Sequence, residues 1–375
     1  MTRDPAASGP PPEEAGGVLT IDLGALVANS KSLAAKAPGA ACAAVVKADA
    51  YGTGIDRTVP ALARAGCRTF FVAHLSEGAR ARAAAHDADI YVLNGLLPRT
   101  GQAYVRDRLR PVLGSAQEIA EWAAFTAAEG VRIEAAVHVD TGMNRLGLSV
   151  PEAIATGEAG LRGCPVNLLM SHFVSAEEPE NPINARQLDA FAAVRRAFPS
   201  LQGSLANSSG VFLGASAHHD LLRPGYALYG GNPQPGAANP MLPVIGLEGR
   251  ILQLRWVEDG DTVGYNATWT ARGSRRIAVI SVGYADGFPR AASASDGRHG
   301  ADAMVGGVRC PFAGRVSMDL IAVDVTEAPR DLGRGDPVSL MDPAISVDHV
   351  ASSAGMSGYE VLTSLGRRYA RRYVD

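Results

Sequence analysis

From Ala25 to about Tyr229 the chain alternates short β-branched or apolar runs with segments of helical period, and no other feature narrows the possible folds as far. This pattern predicts strands near 41–46, 69–73, 89–94, 110–113, 133–139, 166–172, 203–206 and 220–222, with residues 78–83 and 117–122 inside intervening helices. Eight parallel strands with helices between them, in roughly 200 residues, point to a (β/α)8 barrel whose reactive groups belong on the loops after the strands. A doubly wound open sheet is the alternative, but no glycine-rich dinucleotide loop follows the first strand.

The texture changes after Asn239-Pro240-Met241. Segments of period two at 249–255, 276–281 and 320–325 are separated by Gly, Asp and Pro turns, which predicts a mostly β C-terminal domain with short helices near 347–353 and 359–367. The expected division is a flexible tail over 1–17, a barrel domain over 18–243 and a β domain over 244–375. A strand near 18–23 is open to joining the second domain. A net charge of −3 in 375 residues argues against a nucleic-acid surface or a basic membrane tether. The first 17 residues lack an apolar core of signal-peptide length, and no apolar run approaches membrane-spanning length, so a soluble cytoplasmic protein is expected. Cys42, Cys67, Cys164 and Cys310 are far apart, with neither disulfide-framework nor zinc spacing; no metal site is expected.

Lys47 is one of three lysines among 35 basic side chains, and it closes the apolar run Ala43-Ala44-Val45-Val46. Where arginine otherwise supplies positive charge, an amine at a strand end suggests a task that requires losing a proton. A lysine after a strand is usually a solvated strand end; a desolvated one is a nucleophile able to form an imine with an aldehyde cofactor. Tyr51 is close enough in sequence to share the pocket. Leu222-Arg223-Pro224-Gly225-Tyr226 follows the last barrel strand, where barrels commonly bind phosphate through backbone N–H groups, and Ser208, beside Asn207, could add a hydroxyl after the seventh. Each is by itself an ordinary turn, but both fall in the barrel that carries Lys47. Arg145 and His172 also fall on loops after strands, although a histidine there is more often a satisfied core residue.

Several separate motifs together resemble the alanine racemase family of pyridoxal-phosphate enzymes of fold type III. They are 44–52 (AVVKADAYG), 139–147 (VDTGMNRLG), 205–208 (LANS), 223–225 (RPG), 263–268 (VGYNAT), 282–287 (VGYADG) and 314–319 (GRVSMD), and the likeness runs from about Val18 to the C-terminus. It implies an N-terminal (β/α)8 barrel followed by a mostly β domain. It also implies racemisation of L- and D-alanine by two bases on a pyridoxal 5′-phosphate imine, supplying D-alanine for peptidoglycan or for breakdown. Lys47 would anchor the cofactor and serve the D-enantiomer, and Tyr265 would serve the L-enantiomer. Tyr51, Arg145, His172, Asn207, Ser208, Arg223, Gly225 and Tyr226 would hold the cofactor. Arg145 and the Met318 N–H would take the substrate carboxylate, with Tyr284 and Asp319 at the entrance. The resemblance further implies a homodimer in which Tyr265, Tyr284 and Met318 complete the partner's site.

The sequence departs from that family in four places. His138 stands where many members carry a carbon-dioxide-modified lysine that braces the arginine, Thr53 replaces a frequent histidine, and the C-terminal stretch lacks a valine–proline pair. Arg367 aligns with a tyrosine that touches phosphate in some members. Three other readings compete: a serine or broad-specificity racemase, a non-catalytic pyridoxal-phosphate-binding protein, and a basic amino-acid decarboxylase. The second would not need both Lys47 and Tyr265, and the third typically uses a cysteine that Cys310 does not match.

Overall fold

Strands of the form Thr-Phe-Phe-Val suit a site that is covered on both sides, because in a barrel one face meets the interior and the other meets helices. The computed structural model describes residues 9–375. It divides the chain into two units: one holds residues 26–228 and 232–241, the other 9–25, 229–231 and 242–375.

The chain opens with β1 (Gly17–Asp22) and α1 (Leu23–Ala35), and the first unit continues with β2 (Ala41–Cys42) and β3 (Ala44–Val45). Then come α2 (Lys47–Tyr51), α3 (Ile55–Arg64), β4 (Thr69–Val72), α4 (Leu75–Ala84), β5 (Asp89–Val92), α5 (Gly101–Arg106), β6 (Arg110–Leu113), α6 (Ala116–Glu129) and β7 (Ala135–Asp140). After β8 (Leu148–Ser149) and α7 (Val150–Thr156) follow β9 (Val166–Met170), α8 (Pro182–Ala197), β10 (Gln202–Ser204), α9 (Ala215–His218) and β11 (Leu221–Leu222). In β4, β5 and β6 one half-buried residue precedes three buried ones.

Parallel pairing runs from β3 through β4, β5, β6, β7 and β9 to β10. The ring closes because Arg223 N donates to Ala206 O at 2.9 Å, β11 pairs in parallel with β2, and Val45 N donates to Pro224 O at 3.0 Å. The eight predicted strands are therefore the staves of the barrel, with the first split at Ala43.

The second unit is built on β12 (Ile245–Val257), whose first half alternates buried Ile245, Leu247, Gly249 and Ile251 with half-buried residues. Its other strands are β13 (Thr262–Val263), β14 (Trp269–Thr270), β15 (Arg275–Ile280), β16 (Asp302–Val305), β17 (Val308–Pro311), β18 (Ile321–Asp324), β19 (Pro337–Met341) and β20 (Ala370–Val374). Helices α10 (Val347–Ala354) and α11 (Gly358–Ser364) fall where short helices were expected. The sheet order is β17-β16-β19-β12-β1-β20, and β15 joins β12 to β18. β1 lies antiparallel to β12 and parallel to β20, so the strand near 18–23 belongs to this unit.

Residues 1–8 of the expected tail lie outside the described residues. Residues 9–17 are packed rather than free: Ala15 is buried with Val18 and Ala370, Arg250 donates to Pro12 O at 2.8 Å, and Ser281 Oγ donates to Gly16 O at 2.6 Å.

Candidate active site

Lys47 follows β3 by two residues, at the end of the barrel where the strands finish. The chain then turns through four consecutive left-handed residues, Ala48, Asp49, Ala50 and Tyr51, with φ from 52 to 54°. An L-residue pays about 1–2 kcal/mol in that conformation, so the turn must be fastened from outside. Glu77 of α4 accepts from Ala48 N at 2.6 Å with one oxygen and from Ala73 N at 2.8 Å with the other. Asp49 accepts from Ile55 N at 3.0 Å and pairs with Arg80 at 2.8 Å. Thr53, which replaces the frequent histidine, is fully buried, and its hydroxyl donates to Ala50 O. Burial lowers the Lys47 amine from its usual 10.5, the Arg145 charge adds to this, and Glu77 opposes it.

The strands β9, β10 and β11 bring a second group of side chains to the same end. Arg223 is buried; its guanidinium donates to Ser204 Oγ and Ser171 O and stands 3.5 Å from His172 Nδ1. Burial lowers Arg223 to about 9, which still leaves it a cation at neutral pH. His172 is driven well below 6.5 by burial and then by Arg223, Arg145, Lys47 and His138. His138, on β7, falls to about 4 through burial, Arg223 and Arg145. Both imidazoles are neutral, as expected where cations gather around desolvated rings. His138 therefore supplies no negative charge to Arg145. What anchors that segment is Asp140, which accepts from the backbone N–H groups of Gly142, Met143 and Arg145 at 2.8, 2.8 and 3.1 Å.

Ser208 is buried, and its Oγ accepts from Gly225 N at 3.0 Å and Ala227 N at 3.1 Å. A Cβ at Gly225 would stand 2.4 Å from Tyr51 Oη, so only glycine lets the backbone approach this ring. Tyr226 is buried beside it. Asn207 is occupied in its own turn, where Oδ1 accepts from Gly210 N at 2.8 Å. A serine hydroxyl aimed by two backbone N–H groups, beside a tyrosine and a close-approaching glycine backbone, forms a cradle suited to a phosphate, and a desolvated lysine suits an aldehyde, so these residues fit pyridoxal phosphate.

Tyr265, Tyr284, Met318 and Asp319 belong to the β unit. Tyr265 lies between β13 and β14 on a turn containing left-handed Asn266 and Ala267, and it is 68% exposed. Met318 and Tyr284 are 53% and 40% exposed. Arg367 is exposed in the same unit.

Sequence reasoning missed Gln187 of α8. It is fully buried, donates to Thr141 Oγ1 at 3.0 Å and His172 O at 2.9 Å, and accepts from Val174 N at 2.8 Å. A signal was present: with Asn184, Phe191 and Val194 it lies on the buried stripe of the helix, where an amide needs partners.

Residues 21–233 match the alanine racemase N-terminal domain family and residues 244–373 match the alanine racemase C-terminal domain family. A protein of Methylobacterium sp. strain 4-46 named alanine racemase is 60% identical over 363 residues, covering 96% of this chain and 98% of its own. Another, from Methylobacterium nodulans, is 59% identical over 362 residues, covering 96% of each. The crystal structure of alanine racemase from Bartonella henselae with covalently bound pyridoxal phosphate superposes with a TM-score of 0.90 at 36% identity, over 96% of this chain and 100% of that one.

Proposed function

The chain belongs to the alanine racemase family, and from that premise we propose how its own residues interconvert L- and D-alanine with pyridoxal phosphate as cofactor. The observation that carries this reading is the desolvated Lys47 amine in the same barrel unit as the Ser208–Gly225 cradle and the Arg223–His172 pair. The bound cofactor supplies delocalisation of the negative charge that develops when the substrate Cα loses its hydrogen.

The Ser208 hydroxyl, whose oxygen is held by Gly225 N and Ala227 N, would donate to the phosphate together with the Tyr51 phenol. Lys47 anchors the cofactor and, as a neutral amine, exchanges a proton with the substrate on one face. Tyr265 of the partner subunit exchanges a proton on the opposite face, since inversion requires a base on each side. His172 Nδ1 faces the Arg223 guanidinium, a donor, which leaves Nε2 as the protonated nitrogen able to donate toward that phenol. Arg223, beside the ring of a bound cofactor, would leave its pyridine nitrogen unprotonated, because a guanidinium gives hydrogen bonds but not its proton. Arg145 and the Met318 N–H take the carboxylate, and Tyr284 with Asp319 lines the entrance.

The exposed Tyr265, Tyr284 and Met318 support a homodimer in which each chain completes the other's site. No helix among the described residues is long and apolar enough to cross a membrane, and the free thiols Cys42, Cys67, Cys164 and Cys310 support a reducing cytoplasm. A pocket closed by two tyrosines and a methionine favours a small side chain, with serine as the second substrate.

Replacing Lys47 with Ala is the direct test: cofactor absorbance and racemisation should both vanish, and retained activity would end the proposal. Full activity in a monomer would remove the shared site. Equal turnover of bulky or basic amino acids would overturn the alanine assignment.

A further inference from the structure

Arg368 lies four residues beyond the end of α11, next to the buried Tyr369, and its guanidinium reaches two carboxylates of different character. Nε is 3.1 Å from Asp286 Oδ1, and the Asp286 side chain is only 7% exposed. The terminal nitrogen is 2.9 Å from Asp319 Oδ1, whose side chain is 54% exposed. Asp286 is itself fixed, because its other oxygen accepts from Gly283 N at 2.8 Å and its carbonyl accepts from Gly366 N at 2.9 Å.

The two backbone segments joined in this way carry groups assigned to the substrate and the entrance. Tyr284 N donates to Ser317 O at 3.0 Å, and Ala285 N donates to Met318 O at 2.9 Å. A Cβ at Gly283 would stand 2.3 Å from Met318 O, so the segments meet backbone to backbone. The turn at Met318 is exposed, and its internal ties come from Ser317, whose N and Oγ donate to Leu320 O at 3.0 and 2.9 Å.

We infer that Arg368 is a positioning residue for the reaction: by bridging Asp286 to Asp319 it fixes the direction of the Met318 main-chain N–H toward the substrate carboxylate. This rests on the assignment of Met318 as the second carboxylate donor. An exposed ion pair alone contributes little, but here one end of the bridge is set by a buried, hydrogen-bonded carboxylate, so less freedom is lost in ordering the other. Without the cation, Asp286 and Asp319 would repel each other. That repulsion would drive the Met318 turn away from its supports. Burial raises the Asp286 carboxyl, Arg368 lowers it and Asp319 raises it, as this arrangement requires.

The test uses the full-length enzyme with saturating pyridoxal phosphate and the variants Arg368→Gln, Arg368→Lys and Asp319→Asn. Arg368→Gln should raise KM for both alanine enantiomers about tenfold, or about 1.4 kcal/mol. It should change kcat by less than about threefold and leave the cofactor spectrum unaltered. Arg368→Lys should recover part of the loss, since one ammonium cannot span both carboxylates in a fork. Arg368→Gln and Asp319→Asn combined should be less than additive. An unchanged KM, strict additivity, or loss of cofactor and thermal stability in parallel with activity would overturn the positioning role. Inhibition by acetate separates the two readings. Parallel weakening of acetate supports both, whereas a raised KM with unchanged acetate inhibition removes the Met318 assignment and this inference with it.

Discussion

Glu77→Gln tests whether the left-handed turn after Lys47 is held from α4. Four residues at φ of 52–54° carry a summed penalty of about 4–8 kcal/mol at the usual cost per residue. The Glu77 carboxylate offsets part of it by accepting from Ala48 N at 2.6 Å, Ala73 N at 2.8 Å and His74 N at 3.2 Å. A glutamine keeps the shape but has one acceptor oxygen, so its amide nitrogen must face N–H donors on one side. Losing at least one charge-assisted hydrogen bond costs about 1.5–3 kcal/mol, which should weaken pyridoxal-phosphate binding roughly 10- to 100-fold. The assay is cofactor titration of the stripped enzyme by absorbance. Glu77 is also the group that raises the Lys47 amine, so its neutralisation should move the reactivity of Lys47 toward an aldehyde probe to lower pH. Affinity within about twofold of the parent, together with an unmoved pH profile, would refute the fastening role.

Gly225→Ala places a methyl 2.4 Å from Tyr51 Oη, a clash that only displacement of the ring can relieve. Overpacking of this kind costs about 1–3 kcal/mol, so the cofactor concentration giving half-maximal activity should rise about tenfold, with activity regained at saturation; an unchanged value would contradict the cradle. His138 is held near 4, against 6.5 for a free imidazole, so the unfolded chain takes up a proton as pH falls through that window while the folded chain does not. Stability should therefore be fully present above about pH 6.5 and fall toward pH 4, with a shallower slope in His138→Asn, measured as urea midpoints; identical slopes would show that His138 is not the group responsible.

The barrel was legible because its strands are covered on both faces, which writes near-continuous apolar runs such as Phe70-Phe71-Val72 into the chain. The position of Lys47, His172 and Arg223 just past strand ends was legible for a related reason: the apolar runs locate where each strand finishes. The left-handed turn was not, since Ala48-Asp49-Ala50 contains no glycine and reads as ordinary helix; its conformation is held by Glu77 and Arg80, about thirty residues on, which bind Ala48 N and the Asp49 carboxylate. The order in residues 9–17 was hidden because Pro11, Pro12, Glu13 and Glu14 look like a free tail, whereas Gly16 and Pro12 serve as carbonyl acceptors for Ser281 and Arg250. Asp140 rather than residue 138 supports the Arg145 backbone, through a local turn that motif matching alone does not reveal.

The central claim is that two different bases serve the two enantiomers, and the most direct measurement is exchange of the substrate α-hydrogen with deuterated solvent in Tyr265→Phe, followed separately from L- and D-alanine by proton NMR. The account predicts that D-alanine still exchanges, through Lys47, while exchange from L-alanine and net racemisation fall by at least about 100-fold, the lower end of what a positioned general base contributes. Undiminished exchange from L-alanine in that variant would contradict it.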